Sequence, residues 1–255
     1  MVFVPLWAAL IGALGFGPAA LAVGGAGLLL LWPLTRRYFG PSPADLGLYP
    51  DGAAAPPAPR PPAGFPGPLW RRARFRSLAL PFAIGTAAQI GLLSQLFSLA
   101  APALGTRGAG AALSAATACA VLGRTLVGWL LRPGADRRVV AALNFLLQAS
   151  GSLALLSAGG TSAALLVLGC VLFGLGIGNM LSLPPAIAQA EWPPEQVGAV
   201  VATVVATMQV CAAFAPSVFG LLRDGVGDWA AGGMALALQL AAALLVRGGG
   251  DRPSV

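Results

Sequence analysis

The sequence predicts an all-α chain that crosses a membrane many times. Two observations predict it. Hydrophobic residues fill 57% of the 255 positions and charged residues only 9%, against about 25% charged in an ordinary soluble domain. The apolar residues also fall into long runs, and a bilayer core of about 30 Å takes about 20 of them per helix.

The first 34 residues hold two such runs, Phe3 to Leu14 and Ala19 to Leu34, divided by the breaker Gly15-Phe16-Gly17-Pro18. The first run is short for a span. No basic residue precedes it, as a signal peptide would require, and a second run follows at once. The expectation is that Met1 lies inside or at the edge of a helix whose beginning is missing.

A 43-residue connection follows, Thr35 to Ser77, opened by Pro41-Ser42-Pro43-Ala44-Asp45-Leu46-Gly47-Leu48-Tyr49-Pro50-Asp51-Gly52. Ten prolines between Pro41 and Pro68 favour extended chain over a packed domain. The connection closes on Leu69-Trp70-Arg71-Arg72-Ala73-Arg74-Phe75-Arg76, arginines interleaved with aromatic rings. That pattern predicts a short interfacial helix on anionic lipid.

Six further spans are expected: Leu78 to Ala100, Ala109 to Leu131, Val139 to Ser157, Ser162 to Ile187, Val197 to Leu222 and Trp229 to Val246. Their orientation follows from the arginines, which weigh toward the cytoplasmic side. Arg36, Arg37, Arg60, Arg71, Arg72, Arg74, Arg76, Arg132, Arg137, Arg138, Arg247 and Arg252 collect on one face, and Arg107 and Arg223 on the other. The first face is read as cytoplasmic, which places both chain ends inside. The loop at 188–196, with Glu191 and Glu195 and no arginine, dissents, but acidic residues weigh little in this rule. All basic residues are arginine, and the Ala/Gly/Pro/Arg bias looks like a GC-rich bacterial genome, so the membrane is read as a bacterial inner membrane.

Composition also excludes chemistry. The net charge of +7 does not point to nucleic acid, because the arginines flank apolar runs and no separate basic domain exists. There is no histidine, and Cys119, Cys170 and Cys211 stand singly inside apolar segments. Neither a disulfide framework nor a metal site is supported, and no cofactor is implied. No nucleophile, carboxylate or histidine constellation is visible, so an enzyme is not expected.

Polar side chains at membrane depth should face protein or a water-filled cavity. The candidates are Gln89 and Gln95 in the third span, Arg124 in the fourth, Gln148 in the fifth, Asn179 and Ser182 in the sixth and Gln209 in the seventh. For each neutral amide the plain alternative is an interhelical hydrogen bond, about 0.6 kcal/mol on average. Arg124 is the only charge well inside a span, seven residues before Leu131, or about 10 Å from the helix end. Thr117, Val121 and Gly128 share its face. Two roles compete for it, a gate or structural ion pair with an acid such as Asp136 or Glu191, and a counter-charge for an anionic substrate. No membrane-embedded Asp or Glu is present. Small residues repeat every four along the sixth and seventh spans (Cys170, Gly174, Gly178, Ser182; Ala199, Thr203, Thr207, Cys211, Ala215), which suits close helix approach. Pro184-Pro185 marks a kink.

Three stretches resemble the major facilitator superfamily of transporters. Pro43 to Gly52 is similar to the phrase that opens the central loop in some branches. Gly123-Arg124, Gly128 and Asp136-Arg137-Arg138 resemble the G-R-x-x-x-G-x-x-x-D-R-x-x-R-R motif after the eighth family helix, with Arg132 where the acid is expected and Pro133-Gly134-Ala135 interposed. Phe173 to Asn179, Gln189 to Glu191 and Pro216 to Asp224 resemble the tenth and eleventh helices of branches that move organic anions. A faint echo, Leu130-Leu131-Arg132-Pro133-Gly134 against Leu221-Leu222-Arg223-Asp224-Gly225, agrees with the family's inverted repeats.

The resemblance implies the last two helices of an N-terminal bundle (residues 1–34), a cytoplasmic central loop (35–77), a C-terminal six-helix bundle (78–247) and a cytoplasmic tail (248–255). It implies alternating access for a small solute, with the third, fourth, sixth and seventh spans lining the path, which sets Gln148 aside. It also implies a missing N-terminal bundle, so a non-transporting truncated module or pseudogene product stands as the alternative.

Overall fold

The computed structural model describes residues 3–38, 44–46, 67–132 and 134–248. It forms two compact units, residues 1–62 and 63–255. Every regular element among the described residues is helical.

In the first unit α1 (Phe3–Leu14) and α2 (Phe16–Tyr38) are separated by Gly15 alone, at φ 79°. Glycine reaches that left-handed conformation without strain, so one residue suffices to break the helix. Pro18 falls in the first turn of α2, where its missing N–H leaves no bond unmade. The helix continues beyond Leu34 and takes Arg36 and Arg37 into its last turn, where cations meet the unsatisfied carbonyls. The connection is therefore shorter at this end than the apolar pattern suggests. Of Pro41 to Gly52, only Ala44–Leu46 is described, as a 3-10 turn. The prolines from Pro41 through Pro66 lie outside the described residues.

The second unit opens with a 3-10 turn, Leu69–Arg71, and runs directly into α3 (Ala73–Leu130). The expected separate interfacial helix is absent here, because Arg74, Phe75 and Arg76 already belong to the first turn of α3. Phe75 is fully buried and meets Trp70 edge-on at 5.0 Å. A core position was available to this ring, and burial there removes more apolar surface from water than a place among headgroups.

Straight, the 58 residues of α3 would extend about 87 Å, nearly three hydrocarbon cores. Gly105, at φ 67° and ψ 171°, interrupts it, leaving helical stretches over 73–104 and 106–130 that correspond to two expected spans. The remaining elements are α4 (Arg137–Ser157), α5 (Ala163–Ile177), α6 (Leu183–Glu191), α7 (Pro194–Val226) and α8 (Asp228–Arg247). Asp136 starts α4 by accepting from the Arg138 and Val139 amides at 2.9 and 3.2 Å, an N-cap in its usual role. That is why α4 begins two residues before the apolar run. The expected sixth span is two helices, α5 and α6, with residues 178–182 between them. Pro184 and Pro185 sit in the first turn of α6, so the break precedes the prolines that signalled it. Among the described residues five helices are long and apolar enough to cross a membrane, namely α2, α3, α4, α7 and α8; α5 is shorter.

Contacts fix the directions. Gly85 faces Phe145 and Arg138 reaches Ser77, so α4 runs parallel to the first part of α3. Gly151 meets Phe173 and Gln148 meets Gly176, so α5 runs antiparallel to α4. Gly174 meets Ala116 and Gly178 meets Ala120, so the second part of α3 is parallel to α5. The chain therefore reverses at Gly105. Added Cβ atoms on Gly123, Gly174 and Gly178 would stand 1.7, 2.4 and 2.2 Å from backbone oxygens of Leu175, Ala116 and Ala120. The small-residue strip of the sixth span is thus consumed in backbone contact between α5 and α3.

The core has two layers. Phe75, Phe82, Phe145, Ile187, Trp192 and Met208 pack at the arginine-rich end. Leu92, Leu96, Leu166, Phe173 and Phe219 pack toward the other.

Candidate functional site

Among the described residues the polar contacts of the second unit gather mostly where helices stop, the buried Ser152–Gln239 pair lying mid-helix. At the end of α5 the carbonyls lose their next-turn donors. Neighbouring amides replace them. The Gly176 carbonyl accepts from Asn144 Nδ2 at 3.3 Å and from Gln148 Nε2 at 3.2 Å. Asn179 Nδ2 donates to Asn144 Oδ1 at 2.8 Å and to the Leu175 carbonyl at 3.2 Å. All three amides are buried, and Gln148 Oε1 and Asn179 Oδ1 have no partner among the described residues. A Cβ on Gly176 would stand 2.2 Å from Gln148 Cγ, so only glycine lets the amide approach.

Arg124 lies on the second part of α3 with its side chain exposed. Its Nε donates to the Gly178 carbonyl at 3.0 Å, at the same helix break. The bond uses one of five donors on the guanidinium. Neither acid expected as its partner reaches it. Asp136 caps α4, and Glu191 is held elsewhere.

Glu191 closes the arginine-rich end. Arg138, 4% exposed, donates Nε and Nη2 to its two carboxylate oxygens at 2.5 and 2.9 Å, a bidentate pair. Arg138 Nη1 donates to the Val246 carbonyl at 2.8 Å and to the Ser77 carbonyl at 3.3 Å. Arg74 Nη1 donates to the Glu191 carbonyl at 2.8 Å, and its guanidinium lies over Trp192. Arg137 Nη1 donates to the Ala186 carbonyl at 2.5 Å. This cluster joins α3, α4, α6 and α8.

At the opposite end Arg223 donates to Asp228 Oδ1 at 2.5 Å, to Gln95 Oε1 at 3.3 Å and to Ser98 Oγ. It ties α7 to the first part of α3 and to the start of α8.

The residues singled out from sequence are thus dispersed. Asn179 is in the buried amide network, Gln95 is at the far-end arginine, and Gln89 is buried with Oε1 unpartnered among the described residues. Gln209 is exposed on α7. Of the motif residues, Gly123 packs on Leu175 and Gly128 has nothing within 4 Å of an added Cβ. Asp136 caps the start of α4, Arg138 reaches the ends of α6 and α8, and Arg137 meets the Ala186 carbonyl midway along α6. The amide network and the Arg138–Glu191 pair were not foreseen. The polar residues Asn144, Gln148 and Ser152, spaced four apart on one face of α4, were their signal, together with a glutamate placed at the close of an apolar run.

No curated protein sequence matches the chain. The sequence profile of the Major Facilitator Superfamily matches residues 1–216 of the 255. That match, over most of a chain whose described helices are long and apolar enough to cross a membrane, makes it a member of the Major Facilitator Superfamily, whose proteins carry solutes across membranes.

Proposed function

We propose that the chain forms part of the path wall of a secondary transporter that moves a small organic anion by alternating access. Its arginine-rich face and both ends lie in the cytoplasm, and the membrane is a bacterial inner membrane. The observation that carries this reading is Arg124, a guanidinium within a long apolar helix, exposed, tied by Nε to a backbone carbonyl and paired with no carboxylate among the described residues. A fixed Nε leaves both terminal nitrogens free to meet an anionic group through parallel hydrogen bonds. The broken α5–α6 helix beside it resembles the discontinuous helices around which transporters build solute sites.

The bond to Gly178 favours a second reading, in which Arg124 sets the conformation of the helix break and not the affinity. Equilibrium binding of radiolabelled mono- and dicarboxylates to the purified chain in nanodiscs separates the two. A charge-assisted hydrogen bond is worth about 1.5–3 kcal/mol, so Arg124→Gln is expected to weaken anion binding about 10-fold or more, and Arg124→Lys less. Unchanged binding in Arg124→Gln refutes the anion role. Preserved binding with altered thiol accessibility at half-buried Cys119 supports the conformational one.

A further inference from the structure

On the outer side of α4 and α8 lies a groove of about 320 Å³, lined by Val139, Ala142, Leu143, Leu146, Leu240, Ala243, Leu244 and Arg247. The two helices are antiparallel, since Ser152 bonds Gln239 and Arg138 bonds Val246. Val139 is therefore beside the end of α8, and the groove runs about 10 Å inward along both. Leu143, Leu146, Leu240 and Leu244 are 55, 45, 41 and 75% exposed. Both helices are long and apolar enough to span a bilayer, so these side chains face hydrocarbon.

Arg247 is the one charged residue of the lining, and it stands at the mouth. Among the described residues no acid pairs with it. Of the nearby carboxylates, Asp136 is engaged on the α4 amides and Glu191 on Arg138. The position of Arg247 is fixed from inside, because buried Arg138 holds the carbonyl of Val246, the preceding residue. A cation held at the headgroup end of an apolar channel matches an anionic head on an acyl chain.

We propose that this groove is a binding site for one anionic phospholipid, its phosphate on Arg247 and the upper part of one acyl chain between α4 and α8. The occupant is a lipid and not a protein helix, because a channel about 10 Å long admits a single chain and ends in a charge. The site is independent of the proposed solute.

Photolabelling in nanodiscs tests it, with phosphatidylglycerol or phosphatidylcholine carrying a diazirine in the acyl chain and labelled peptides read by mass spectrometry. One arginine at a membrane surface favours anionic lipid by about 5-fold. That preference for phosphatidylglycerol is expected on residues 139–146 and 240–247, retained in Arg247→Lys and lost in Arg247→Gln. Equal labelling by the two lipids overturns the proposal, as does a preference that survives Arg247→Gln. An equal preference at the apolar surface of Val210, Phe214 and Val218, which presents no arginine, would show general attraction only and overturn the site.

Discussion

Replacing Glu191 by glutamine leaves the shape of the arginine-rich end nearly intact and removes the half-buried negative charge that faces Arg138. Arg138 would keep its bonds to the carbonyls of Val246 and Ser77, but its guanidinium, 4% exposed, would lose the carboxylate that balances it. Removing one partner of a buried pair costs about 3–5 kcal/mol. Glu191 is 15% exposed, which places the expected cost near the lower end, about 3 kcal/mol. In a chain of this size each kcal/mol moves the midpoint by about 2–4 °C, so a fall of about 6–12 °C is expected. The assay is thermal unfolding in detergent followed by a fluorogenic maleimide on Cys170, which is 1% exposed, in a background with Cys119 and Cys211 changed to serine. Arg138→Met should cost less, because Glu191 retains Arg74. The pair Arg138→Met with Glu191→Gln should cost less than the sum of the two single variants, by about 1 kcal/mol or more. A midpoint for Glu191→Gln within about 2 °C of the parent, or strict additivity in the cycle, refutes the assignment of a mutually dependent buried pair.

Other outcomes follow from the packing. Gly123→Ala places a methyl 1.7 Å from the Leu175 carbonyl oxygen, so the backbones of α3 and α5 must separate at a cost of about 1–3 kcal/mol, whereas Gly128→Ala, with open space around it, should melt with the parent in the same assay. Asn144→Leu removes a partner from both Asn179 and Gly176 and is expected to destabilise by about 0.6–1.7 kcal/mol; a stability gain would show that the network is dispensable. Gln95→Ala should speed amide hydrogen exchange over 223–230 without lowering the midpoint more than a degree or two, since it removes one of three contacts of Arg223; unchanged exchange there contradicts the tether.

Apolar length read the helices of the second unit well because hydrocarbon thickness is a strong, local constraint on such runs. Each of the six expected spans of the second unit has its helical counterpart. Where the reading departed, competing interactions settled the outcome. The Asp136 cap starts α4 early, and Phe75 goes to the core and carries its arginine-rich neighbours into α3. The site was less legible, because a polar residue in an apolar run reveals its depth and not its partner. Gln95 and Asn179 are alike as amides in apolar runs and Arg124 stands apart by its charge, yet the partners differ in each case: an arginine at the end of α7, an amide of α4 and a backbone carbonyl. Asp136 and Glu191 were weighed as companions of Arg124, but the nearer arginine, Arg138, competes for Glu191 with a bidentate fork, and backbone amides take Asp136. Such outcomes depend on helix rotation, which spacing along one chain does not encode.

The reversal at Gly105 makes the two arms of α3 behave as a geared pair. With one non-helical residue between them there is no slack, so a twist of the arm that carries Gln95 toward Arg223 is delivered to the arm that carries Arg124 toward Gly178. The connection between α4 and α5 is looser, with Gly159 and Gly160 both at positive φ, and can absorb such a twist. Two glycines inserted after Gly105 should act as a clutch, leaving each arm packed on its own neighbours while disconnecting events at the far end from the helix break beside Arg124.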